Sequence, residues 1–141
     1  MNLKLDFQGH PLELVLDPLA HQQLLKQSSP LFVRMELTIA DFPIKKVHFH
    51  QSEPKDTPFE AFGKQFYLAY QGLVAMHLPN SPKINAPIWE FPSHRLAQCK
   101  PRWLHLKYLN EIWTGTYGFR LQDLPTELAN LPLLKGKKKH N

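Results

Sequence analysis

Apolar residues recur at every second position from Leu3 through Leu5 to Phe7, and again from Leu12 through Leu14 to Leu16. Side chains alternate across a β-strand, so this pattern gives each segment one apolar face and one polar face. Taking Gly9-His10 as a two-residue loop pairs Phe7 with Leu12, Leu5 with Leu14 and Leu3 with Leu16. Glycine at the first loop position suits a type II′ turn, where φ is positive.

The same reading extends along the chain and predicts three further hairpins. In the second, Leu31 to Ile39 pairs with Ile44 to His50. Val33, Met35, Leu37, Val47 and Phe49 then face inward, and Arg34, Glu36, Thr38, Lys46, His48 and His50 face outward. Two registers, two residues apart, fit its turn equally. The third runs from Gln65 to Leu78 around Gln71-Gly72, with both faces largely apolar, as in strands covered on both sides. The fourth spans Arg102 to Leu121 with Asn110-Glu111 in the turn, pairing Tyr108 with Trp113, Leu106 with Gly115 and Leu104 with Tyr117. Glutamate suits a type I′ position poorly, which leaves a longer turn open.

Asp17-Pro18 starts a short helix reaching Gln27. Aspartate caps helices, and proline at the first position loses no hydrogen bond. Leu19, Leu24 and Leu25 would form its apolar side. A second helix is expected from Asp123, with Leu124, Leu128 and Leu131 on one side. The stretch from Pro79 to Pro101 contains five prolines, both ends included, the composition of a long irregular connection. Ile88, Trp89 and Phe91 within it are too apolar for a free loop and are expected to lie across the sheet. The fold class expected is therefore a β-rich α+β domain of about eight antiparallel strands. It would form a partly open barrel or a two-layer sandwich with one or two short helices.

A chain of 141 residues suits a single domain. Residues 1–134 are read as that domain and 135–141 as a basic, disordered tail. The net charge of +5 is deceptive. Lys135, Lys137, Lys138 and Lys139 supply four of the 17 basic residues, and without them 13 basic residues stand against 12 acidic ones. The high isoelectric point thus describes a tail rather than a binding face. Met1 to Phe7 lacks a signal-peptide core, and no apolar run approaches the ~20 residues that span a bilayer. No membrane partner is expected. The single cysteine, Cys99, rules out an internal disulfide and suits a reducing compartment, so the expected location is cytoplasmic.

Chemistry-bearing patterns are sparse. His48 and His50 share a strand face and have the spacing to reach one divalent ion, but an exposed polar face beside Arg34 and Lys46 is the plainer reading. Cys99 sits near Lys100 and His94, in no recognisable nucleophile motif. There is no Gly-x-Ser-x-Gly elbow, phosphate loop, dinucleotide fingerprint or paired-histidine zinc helix, and no cofactor is expected. Trp103, His105 and Lys107 share a face beside Arg102, mixing aromatic and basic groups as single-strand nucleic-acid platforms do. The plainer reading makes Trp103 a core cover and Lys107 a solvated charge.

Three functional expectations result. The leading one is a non-catalytic binding domain that engages another protein or associates with itself, with Tyr67, Tyr70 and Met76 at the interface. The second is a nucleic-acid accessory protein using the tail with Trp103, His105, Lys107, Arg102 and Trp89. The third is a small apolar-ligand binder with Trp89, Phe91, Trp113 and Tyr117 lining a cavity.

Overall fold

The computed structural model describes residues 1–40, 43–77 and 88–120, apart from the side chains of 76–77, 88–91 and 94–95. The helix expected from Asp123 and the lysine tail lie outside the described residues. Nine strands and two helical segments follow one another within them. They are β1 (Asn2–Phe7), β2 (His10–Leu16), α1 (Pro18–Lys26), β3 (Leu31–Ile39), β4 (Pro43–His50), β5 (Glu60–Phe62), β6 (Phe66–His77), β7 (Ile88–Pro92), α2 (His94–Ala97), β8 (Trp103–Leu109) and β9 (Ile112–Gly118). The chain is β-rich, as read, but its sheets are mixed rather than antiparallel. One sheet has the order β1-β2-β8-β9; the other has the order β4-β3-β6-β5, with β7 paired to the far half of β6.

Both sheets follow one plan. Antiparallel hairpins, β1-β2 with β8-β9 and β3-β4 with β5-β6, are joined by a central parallel pair, β2 to β8 or β3 to β6. Alternation reveals which residues share a face, but it carries no information about which hairpin lies beside which. The parallel joins were therefore invisible in the sequence.

The first hairpin forms with its register displaced by two residues, so Leu5 faces Leu12, Leu3 faces Leu14 and Phe7 faces His10. Gln8 and Gly9 are the turn residues, at φ 52° and 80°. Positive φ at both central positions defines a type I′ turn, which wants glycine second rather than first. A shift of two preserves which face is apolar, so the core face is unchanged. The β3-β4 hairpin forms with Val33 opposite Phe49 and Met35 opposite Val47, which resolves the ambiguity left by the sequence. The β8-β9 hairpin has the expected register throughout, with Asn110 and Glu111 both at positive φ in a two-residue turn.

The third expected hairpin does not form. Residues 66–77 are one continuous strand, β6, with no turn at Gln71-Gly72. It is paired along both edges, by β3 on one side and by β5 and β7 on the other. Its apolar residues have cover on both faces: Phe66 and Leu68 in the shared core, Gly72 under α2, and Tyr67 stacked on Phe32. Gly72 is small because α2 crosses it: a Cβ there would lie 2.5 Å from the Leu96 Cβ and 2.9 Å from its carbonyl carbon. The supposedly irregular connection before Pro101 likewise contains β7 and α2, with only 78–87 outside the described residues.

The inner faces of the two sheets share one core. Phe7, Leu12, Leu14, Leu16, Leu104, Leu106 and Tyr117 from one sheet meet Leu31, Val33, Met35, Phe66 and Leu68 from the other, with Ala20 of α1 between them. Each fully buried side chain of this size contributes roughly 1.5–3 kcal/mol of transfer free energy. Neither sheet closes into a barrel. Where the edge strands β4 and β9 approach, the contact is made by side chains rather than a ladder: a Cβ on Gly115 would sit 3.2 Å from the Val47 Cγ1. Sheet β4-β3-β6-β5 extends past its neighbour, and a second cluster of Leu37, Leu96 and Cys99, with Tyr70 and Phe119 beside it, covers the remainder. The helical cover over this part of β6 is therefore α2.

Helix α1 has proline in its first turn, but Asp17 does not cap it with its side chain. Ala20 is buried and Leu24 packs on the core, whereas Leu19 and Leu25 are 51% and 74% exposed. The inward pair is spaced i, i+4, as one helix face requires; the expected grouping of Leu19 with Leu24 and Leu25 was wrong.

Candidate functional site

Two of the concavities on the described surface share His50, at the end of β4, in their lining. The first is a groove of about 430 Å³ at one end of the sheets, between α1, the end of β4 and the β8-β9 tip. Its floor is aromatic. Trp113 stacks on Phe49 with ring centroids 6.1 Å apart and meets Tyr108 at 4.9 Å. Gln23 and Gln27 form one wall and are joined side chain to side chain at 3.3 Å. Ile112 lines the opposite side and is 61% exposed, beside Leu109 at 63%. The turn carrying these two residues holds Glu111 at φ 63°, a conformation that side chains other than glycine, asparagine and aspartate adopt at a cost of about 1–2 kcal/mol.

The second concavity, about 420 Å³, opens on the outer face of β3 and β6 beneath the loop following β4. The Arg34 Nη1 donates to the Glu36 Oε1 at 2.9 Å and to the Gln71 Oε1 at 3.1 Å. The Thr38 hydroxyl donates to the Glu36 Oε2 at 2.9 Å, and the His48 Nε2 lies 3.2 Å from its Oε1. Burial alone would raise the Glu36 pKa, but the hydrogen bonds from Thr38 and Arg34 outweigh it and hold the carboxyl below its usual range. His50 is held below the usual imidazole range by burial, with Arg34 and His48 adding repulsion. Its Nε2 is buried and finds no hydrogen-bond partner among the described residues, while its ring meets the edge of Phe59 at 6.4 Å.

Acid should destabilise the fold in two stages. Burial holds His50 in the fold below its ordinary value of 6.5, so its contribution is complete above that pH and declines as pH falls below it. Glu36 and Asp17 have lowered folded values, so their contributions hold above the unfolded carboxylate range and vanish as pH falls through the folded values. Urea midpoints measured from pH 8 to pH 3 are expected to show both declines, and His50→Gln is expected to remove the first alone.

The sequence-predicted residues fall into separate places. His48 and His50 do share a face, with ring centroids 6.5 Å apart, and His48 is engaged by Glu36. Among the described residues no group of three or more histidine, cysteine or acidic side chains is arranged to hold a metal ion. Trp103, His105 and Lys107 share the outer face of β8. Trp103 lies over Gly118, where a Cβ would come within 2.5 Å of its indole. His105 is bonded to the Asp17 carboxylate at 2.7 Å, and that bond lowers the Asp17 pKa. Lys107 is exposed, and the half-buried Arg102 ties β8 to its neighbours through its backbone, which bonds Glu13 and Gly118. Acidic Glu13 and Asp17 border the same face, which is thus not a uniformly basic stripe. Lys45 is turned inward, donating to the Tyr117 carbonyl at 3.0 Å.

Of the aromatic residues expected at an interface, Tyr67 stacks on Phe32 at 4.5 Å. Tyr70 donates to the Leu96 carbonyl at 2.8 Å, and burial raises its pKa. Met76 and Trp89 are register partners across β6 and β7; their side chains, like that of Phe91, lie outside the described residues. Cys99 is buried against Leu37 and Leu96, and Tyr117 is buried with its hydroxyl on the Glu36 carbonyl. Sequence reasoning found Trp113 but missed the partners that make a groove of it, Gln23, Gln27 and Phe49. Arg34, Glu36 and Gln71 were also missed as a unit, because Gln71 was placed in a turn.

The chain matches no known family model, no curated protein and no solved structure. No helix among the described residues is long and apolar enough to cross a membrane.

Proposed function

We propose that this chain is a non-catalytic protein-binding domain, a two-layer β-sandwich whose end groove receives a short segment of another protein. The groove floored by Phe49, Tyr108 and Trp113 carries the reading. Aromatic floors supply most of the affinity in such sites, with polar groups at the rim fixing orientation. Gln23, Gln27 and Gln51 border the groove, and the amide capacity left beyond the Gln23–Gln27 and Gln27–Ser29 bonds suits a peptide backbone. Exposed Ile112 and Leu109 extend the apolar surface beyond it. A segment with one large apolar side chain, flanked by free backbone groups, matches this arrangement.

Selection of displayed random peptides on the full chain, counter-selected against Trp113→Ala, tests the reading. Recovered peptides should share an apolar anchor and lose affinity about tenfold or more on Trp113→Ala. Ile112→Asp should weaken them without altering the fold. Absence of any shared anchor, or binding that Trp113→Ala leaves unchanged, would overturn it.

A further inference from the structure

We infer that the cleft over the outer face of β3 and β6 is a separate binding site for a small organic carboxylate. Arg34 stands at its floor, and its bonds to Glu36 and Gln71 use Nη1 alone. Its Nη2 and Nε take no acceptor among the described residues, and these two parallel donors match a carboxylate in the bidentate geometry that guanidinium favours. Glu36 holds the guanidinium still. Its own two oxygens are already engaged by Thr38, Arg34 and His48, so it fixes the floor rather than competing for a ligand's donors.

Two further features narrow the class. The buried Nε2 of His50 has no partner among the described residues, and a buried polar atom left unmatched is costly. His50 lines the cleft, and a turn of its ring that brings Nε2 to the opening would let the tautomer protonated there donate to an incoming oxygen. Leu73, Pro92 and Pro54 line part of the cleft, beside Lys55, Asp56 and Thr57, and give a carbon skeleton a surface to pack on that a bare inorganic anion does not use. The volume of about 420 Å³ lies within the usual range for small-molecule sites, ~300–1,000 Å³. Glu36 and Asp56 offset Arg34 and Lys55 around the site, so shape and the fork would decide binding more than net charge.

The experiment is a protein-observed NMR titration of the full chain, following backbone amides and arginine Nε–Hε signals. The probes are benzoate and propionate, with benzamide, propionamide and inorganic phosphate as controls. The carboxylates are expected to shift Arg34 and Gln71 saturably, while the amides and phosphate do not. Arg34→Lys keeps the charge beside Glu36 but removes the fork, and should weaken benzoate at least tenfold. His50→Phe fills the same space without the nitrogen, and should weaken it several-fold. Equal shifts from benzoate and benzamide, equal binding of phosphate, or unchanged affinity in both variants would overturn the assignment. Shifts confined to the Trp113 groove would do so as well. Peptides selected on that groove should bind Arg34→Lys as they bind the parent chain, so the two sites fail independently.

Discussion

Replacing Gly72 with alanine should cost about 3 kcal/mol, at the upper end of overpacking effects because a backbone atom is among the obstructions. The added Cβ would meet the Leu96 Cβ at 2.5 Å, its carbonyl carbon at 2.9 Å and the Ala97 nitrogen at 3.1 Å. None of these is the far end of a flexible side chain. Relief requires α2 to lift from β6, which would loosen Leu37 and Cys99 beneath it and strain the Tyr70 bond to the Leu96 carbonyl. For a domain of this size the loss corresponds to a melting temperature lower by roughly 10 °C. Adding Leu96→Ala should not rescue the variant, because alanine retains the offending Cβ. Thermal and urea denaturation of the two variants check this. A change within ~0.5 kcal/mol, the ordinary range for surface substitutions, would mean that α2 does not rest on β6.

Leu104→Ala is the second large effect. Leu104 is wholly buried on β8, between β2 and β9, opposite Tyr117 and beside Leu14. Truncation removes transfer free energy and leaves a cavity in the shared core, with an expected loss of about 2–5 kcal/mol. Ile112→Ala, at the exposed tip of the same hairpin, should cost under ~0.5 kcal/mol. Equilibrium denaturation of the pair separates core from surface within one hairpin. Similar losses in the two variants would show that the β8-β9 tip is packed rather than free, and would remove the exposed apolar surface on which the peptide-binding proposal draws.

Individual residues show where legibility ended. Leu3, Leu5 and Phe7 declared a strand with one apolar face, because alternation is a local property of an extended chain. Gly9 announced a turn but not its type, since glycine satisfies positive φ at either central position and only the twist of the assembled strands selects type I′. Gly72 was misread for a related reason. A glycine in an apolar strand signals either a turn or a close approach by another element, and the approaching element, α2, lies more than twenty residues away in sequence. The polar cleft was half visible: alternation placed Arg34, Glu36, His48 and His50 on one outward face, but Gln71 joined them only once β6 ran straight through and paired in parallel with β3.

From the chain alone came the β-rich class, the core faces of β1, β2, β3, β4, β8 and β9, the position of α1 and the complete register of β8-β9. These depend on neighbours close in sequence, whose contacts are dictated by spacing and turn chemistry. The tertiary structure alone decided the two parallel joins, the continuity of β6, the seat of α2 on Gly72 and the convergence of distant residues on the groove and the cleft. Parallel pairing links segments separated by long stretches of chain, through backbone groups that every residue carries alike, so no side-chain pattern records which strand will lie beside which.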